Sequence, residues 1–149
     1  MPQERRKEPL APRPRFSALA RDAIQRSIPE TSARRARWYL GVNLATVCWH
    51  STDGRWHHLA LRRDDAGVDG EYGESSTSAD VQELALLPGE GYGTPLGYRV
   101  RLDALVPNAR RPWESLRDER ELSEFLGWVV SQLGSLGPRW LERHISASR

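Results

Sequence analysis

The chain has 149 residues, 38% of them hydrophobic, a mean hydropathy of −0.65 and a formal net charge of +2. That length is one domain with a core that needs no staples. The single cysteine, Cys48, excludes an intrachain disulfide, and no run approaches the roughly 18–20 apolar residues of a spanning helix.

Charge is uneven along the chain. Residues 1–37 hold ten basic and four acidic side chains, net +6, while residues 38–149 hold twelve and sixteen, net −4. All the basic residues but Lys7 are arginine, which reads first as the codon bias of a high-GC genome. One cysteine, and a charged N-terminus with no apolar run behind it, lead us to expect a cytoplasmic protein.

Residues 1–15 carry four prolines and five basic side chains, which predicts a flexible basic arm ahead of a single domain over 16–149. Phe16, Leu19, Ala20, Ala23, Ile24 and Ile28 keep a helical rhythm that Pro29 stops. Glu30 to Arg37 reads as a short helical turn or a linker. Tyr39 to His50 predicts one strand with Leu40, Val42, Leu44, Thr46 and Cys48 on one face. Trp56 to Leu61 is a second strand, and Asp53-Gly54 between the two signals a hairpin. A two-residue turn there sets His50 opposite His57 and Trp49 opposite His58, and the pair His57-His58 then straddles the sheet.

Residues 63–80 read as a long exposed acidic loop, Val81 to Leu87 as a third strand, and Pro88 to Gly97 as a second loop. Tyr98, Val100 and Leu102 alternate with Arg99, Arg101 and Asp103, the pattern of a half-buried strand. Asn108 to Pro112 turns the chain. Asp118 followed by Glu121 opens a helix with Leu122, Phe125, Leu126, Val129, Val130 and Leu133 along one stripe. Gly134 or Gly137 is expected to end it, with Pro138 starting a short last helix carrying Trp140, Leu141 and Ile145. The expected fold is α+β: an antiparallel sheet of four or five strands with helices packed on one face.

Chemistry is sparse. Cys48, His50 and His57 on one face of the hairpin resemble part of a zinc site, but no fourth ligand has a suitable spacing, and packing is the better reading. Cys48 lacks the flanking signature of a nucleophile. Gly89 to Thr94 fails the spacing of a phosphate-binding glycine loop, and no lysine follows it. Asp64, Asp65, Asp69, Glu71 and Glu74 do not keep calcium-loop positions and read as solvated. No catalytic residue, metal or cofactor is expected.

Trp49, Trp56, Arg99 and Arg101, placed on the sheet face away from the helices, have the composition of an interface centre. The leading expectation is a non-enzymatic protein-binding domain, immunity-like or regulatory, with a protein partner. The alternative is weak, non-specific nucleic-acid association through Arg5, Arg6, Lys7, Arg13 and Arg15. An unrecognised enzyme is the third reading, and no membrane partner is expected.

Arg37-Trp38-Tyr39-Leu40-Gly41-Val42-Asn43-Leu44 looks like a strand following a first helix. Gly97 to Pro107 has a polar-aromatic-Arg-x-Arg-Leu form, and Trp113 with Gly137-Pro138-Arg139-Trp140-Leu141-Glu142 fits a helical tail. In these segments the chain resembles the bacterial domain-of-unknown-function family 4304 over about two thirds of its length. The resemblance implies a fold and no catalytic residues.

Overall fold

The computed structural model describes residues 16–33, 35–64, 66–75, 98–111, 116 and 118–148. Helix α1 (Phe16–Ser27) is followed by a 3₁₀ turn (Pro29–Ser32) and then β1 (Arg37–Gly41), β2 (Leu44–His50), β3 (Trp56–Asp64), β4 (Gly67–Ser75) and β5 (Tyr98–Arg101). The four-residue α2 (Leu102–Leu105) and the thirty-residue α3 (Glu119–Ser148) complete the order. The strands form one five-stranded sheet in sequence order, every neighbouring pair antiparallel. This is the expected α+β architecture. The predicted arm over 1–15, the strand at Val81 to Leu87 and the loop from Pro88 to Gly97 lie outside the described residues.

One core joins helices and sheet. Phe16, Ala20, Ala23 and Ile24 of α1 meet Ala45, Val47 and Trp49 of β2, Leu59 and Leu61 of β3, Val68 and Tyr72 of β4, Val100 of β5, and the stripe Leu122, Phe125, Leu126, Val129, Val130 and Leu133 of α3. Trp38 anchors β1 to the turn after α1: its Nε1 donates to the Thr31 carbonyl at 3.2 Å, and the Arg21 guanidinium lies 4.9 Å from the ring centre. None of the described helices is long and apolar enough to cross a membrane.

Four expectations are corrected. The strand read over Tyr39 to His50 is two strands, β1 and β2, joined by a turn at Val42-Asn43, with Leu40 opposite Ala45. Val42 is 85% exposed, so an apolar residue at a turn tip passed for a continuing strand. The β2–β3 turn carries Thr52, Asp53 and Gly54 between the closing pair Ser51 and Arg55. Gly54 N–H donates to the Ser51 carbonyl and Ser51 N–H to the Arg55 carbonyl, both at 3.0 Å, and Gly54 has φ of 82°. This is the three-residue turn with a left-handed glycine, and it moves the register by one residue: Trp49 faces His57 and Cys48 faces His58.

The loop read over residues 63–80 is, as far as Ser75, the end of β3 and the whole of β4, which lies between β3 and β5. Finally, α3 does not break at Gly134, Gly137 or Pro138. Leu133 and Leu141 are both buried, on either side of Pro138, and a Cβ at Gly137 would sit 2.6 Å from Tyr72 Cδ2. Gly137 is therefore a point of close helix–sheet approach. Packing on both sides outweighs the local breaking tendency, whose cost is about 3 kcal/mol for the proline.

Candidate functional site

The two faces of the sheet differ in chemistry. Trp49, His57, Tyr72 and Glu74 share the helix-facing side by register. At this end of the sheet the chain of contacts runs from the turn into the core. Asp53 Oδ2 lies 3.0 Å from His57 Nε2, His57 Nδ1 lies 2.7 Å from the Tyr72 hydroxyl, and that hydroxyl donates to Glu74 Oε2 at 2.6 Å. Arg55 Nε closes on Glu74 Oε1 at 3.3 Å. Since the one hydroxyl hydrogen goes to Glu74, Tyr72 offers His57 a lone pair, and His57 faces an acceptor on each ring nitrogen. Trp49 stacks on the imidazole, centroids 5.5 Å apart and planes 17° from parallel.

Burial pushes the Tyr72 hydroxyl far above the usual tyrosine pKa, and its bond to Glu74 and the negative charges of Glu74 and Asp53 push the same way. For Asp53, slight burial works against ionisation, but the Arg55 backbone N–H and the adjacent His57 outweigh it and hold the carboxyl below its ordinary value.

Beside this chain is a cleft of about 570 Å³, bounded by the end of α1 (Ser27, Ile28), the sheet (Trp49, Ser51, His57, Tyr72) and the middle of α3 (Val130, Ser131, Gly134, Ser135, Pro138), with Glu30 on its wall. Its lining is mixed: four serines, His57, Tyr72 and Glu30 stand beside the apolar surfaces of Ile28, Trp49, Val130 and Pro138.

The other face carries charge in a buried layer. Glu71 Oε2 lies 3.0 Å from His58 Nε2, and Arg99 Nη1 donates to Glu71 Oε1 at 3.0 Å. These side chains are 4% (His58), 9% (Glu71) and 3% (Arg99) exposed. One residue pair along, Asp69 Oδ2 receives Arg110 Nη2 at 3.0 Å, Arg101 Nη1 at 3.2 Å and Arg62 Nη2 at 3.4 Å. Asp69 and Glu71, read as solvated, are thus buried and paired.

The four residues expected to form an interface are not assembled as one. Trp49 is 5% exposed and lies in the core on the helix side. Trp56 is on the opposite face, edge-on to His50 at 5.1 Å. Arg99 and Arg101 share that face but are bound to Glu71 and Asp69. Cys48, His50 and His57 are separated as well. The one-residue shift leaves Cys48 and His50 on the outer face with His58 and sends His57 to the helix side. Among the described residues no three metal-capable side chains form a group. His57 and His58 do straddle the sheet, as expected. Arg5, Arg6, Lys7, Arg13 and Arg15 lie outside the described residues.

Tyr72, Asp69 and Glu71 were missed by the sequence reading. A usable signal was present: Val68-Asp69-Gly70-Glu71-Tyr72 alternates, and its acidic positions answer the Arg-x-Arg of residues 99–101 on the neighbouring strand. Comparison of the chain with protein-family models, curated proteins and solved structures finds no match.

Proposed function

We propose that this chain is a non-enzymatic protein-binding domain, regulatory or immunity-like in a bacterial cytoplasm, whose cleft beside Trp49 and His57 receives a protruding segment of its partner. The observation that carries the reading is the cleft itself, where Trp49, Ile28, Val130 and Pro138 are interspersed with four serines, His57 and Glu30. The ionisable groups beside it are engaged with one another: Tyr72 holds its proton against Glu74, and His57 is held between Asp53 and Tyr72. A general base or nucleophile needs a free lone pair aimed at a substrate, whereas a recognition surface benefits from side chains fixed in advance. Glu30 on the wall and the net −4 of residues 38–149 favour a segment of neutral or basic character.

Filling the cleft tests this reading. Ser135→Trp and the unmodified protein are immobilised and exposed to lysate of the source organism, and each retained protein is purified and its affinity for both forms measured. The reading requires a partner whose affinity falls at least about tenfold with Ser135→Trp, the scale of a lost anchoring contact, while circular dichroism and melting of the variant stay native. Partners that bind both forms equally refute the cleft as the recognition site.

A further inference from the structure

The geometry points to a binding site for a phosphate-type oxyanion at the Arg62–Arg101–Arg110 cluster, on the sheet face opposite the cleft. Three guanidinium nitrogens, one from each arginine, lie within 3.4 Å of a single oxygen, Asp69 Oδ2. Arg62 stands directly across from Asp69 on β3, Arg101 comes from β5, and Arg110 arrives from the segment after α2. Three positive charges thus meet one carboxylate. Asp64, which takes the other arm of Arg110 at 3.2 Å, lowers the surplus from two charges to one.

Like charges gathered this closely repel one another, and one carboxylate does not use the donors they bring. The Nε atoms of Arg101 and Arg110 are buried with no acceptor among the described residues. The arginine side chains themselves remain open to solvent, 39% for Arg62, 21% for Arg101 and 25% for Arg110, while Asp69 beneath them is 4% exposed. A site with a covered anion and a rim of fork-shaped cations matches an incoming group with several acceptor oxygens and one or two negative charges. Phosphate has both, and guanidinium pairs with it bidentately.

Asp69 gives the proposal its sharpest consequence. Its carboxylate organises the arginines and also competes with any incoming anion. Asp69→Asn therefore lowers stability, since a buried carboxylate is lost, yet it raises phosphate affinity. A cluster with a purely structural role changes stability alone.

The test is a titration of the full chain, labelled at arginine side-chain nitrogens, with inorganic phosphate at constant ionic strength maintained with chloride. Adenosine monophosphate forms a second arm. Saturable shifts of the Arg101 and Arg110 Nε–H signals are expected. Arg62→Gln, at the most exposed of the three, weakens binding about tenfold, the scale of one charge-assisted hydrogen bond, and Asp69→Asn strengthens it several-fold. Equal affinity for the two ligands assigns the site to the phosphate group alone, and tighter binding of the monophosphate assigns it to a nucleotide. Shifts that do not saturate, or affinities unchanged in both variants, overturn the proposal.

Discussion

Glu71→Gln isolates the buried charge layer. The Glu71 carboxylate lies 3.0 Å from both the His58 imidazole and the Arg99 guanidinium, and all three side chains are less than a tenth exposed. Glutamine keeps the shape and one acceptor, but it removes the charge and turns an amide donor toward groups that need acceptors. Removing one member of such a buried pair costs about 3–5 kcal/mol, because the desolvation of the remaining cation is then offset less fully. At about 2–4 °C per kcal/mol for a chain of this size, the melting temperature should fall by roughly 6–20 °C. The exposed pair Asp22–Arg26, 3.0 Å apart and more than half exposed on both sides, is the internal control: Asp22→Asn should cost no more than about 0.5 kcal/mol. Urea unfolding of both variants, compared at equal denaturant slope, gives the difference directly. A loss below about 1 kcal/mol for Glu71→Gln, close to the control, would refute the reasoning and show that the layer is neutral to stability.

Two glycines of α3 should respond with opposite signs. Gly127→Ala meets nothing within 4 Å and should gain about 0.5–1 kcal/mol from helix propensity alone, whereas Gly137→Ala places a Cβ 2.6 Å from Tyr72 Cδ2 and should lose stability. Denaturant midpoints decide both. At the β2–β3 turn, Gly54→Val forces a branched residue to φ of 82° and should cost about 1–2 kcal/mol, measured in the same way. The raised pKa of Tyr72 makes a prediction at alkaline pH. The folded state keeps a proton that the unfolded chain releases near 10.0, so the stability this group contributes is complete below that value and declines as pH rises beyond it. In an ultraviolet titration of the four tyrosines, one should ionise only with unfolding, and a Tyr72→Phe variant should lose that coupled step. A tyrosine set that ionises fully while the fold persists would refute the assignment.

What the sequence made legible, and what it hid, divides by the range of the interactions. Helix α1 and the start of α3 were legible because Phe16, Ala20 and Ile24, and Leu122, Leu126 and Val129, repeat at helical spacing, and β5 because Tyr98 and Val100 alternate with Arg99 and Arg101, although the strand ends at Arg101 and Leu102 and Asp103 open α2. The β2–β3 hairpin was legible from Asp53-Gly54, but its register was not: Gly54 in the left-handed region closes a three-residue turn, and that one-residue difference exchanges the faces of every partner. It is why His57, and not His58, meets Trp49 and the cleft. Strand β4 was hidden for a more general reason. Hydropathy scores Asp69 and Glu71 as solvent-seeking residues, and they are buried because Arg99 and Arg101, about thirty residues later, lie on the adjacent strand at 3.0 and 3.2 Å. The acidic segment does not read as a strand by itself, whereas the basic one does through its alternation with Tyr98 and Val100. Taken together, an acidic alternation of period two and a basic alternation of the same period are complementary, as two apolar stripes are. A charged loop reading for such a segment therefore fails when an opposite-charge segment of equal period stands elsewhere in the chain, as Arg99 and Arg101 stand to Glu71 and Asp69.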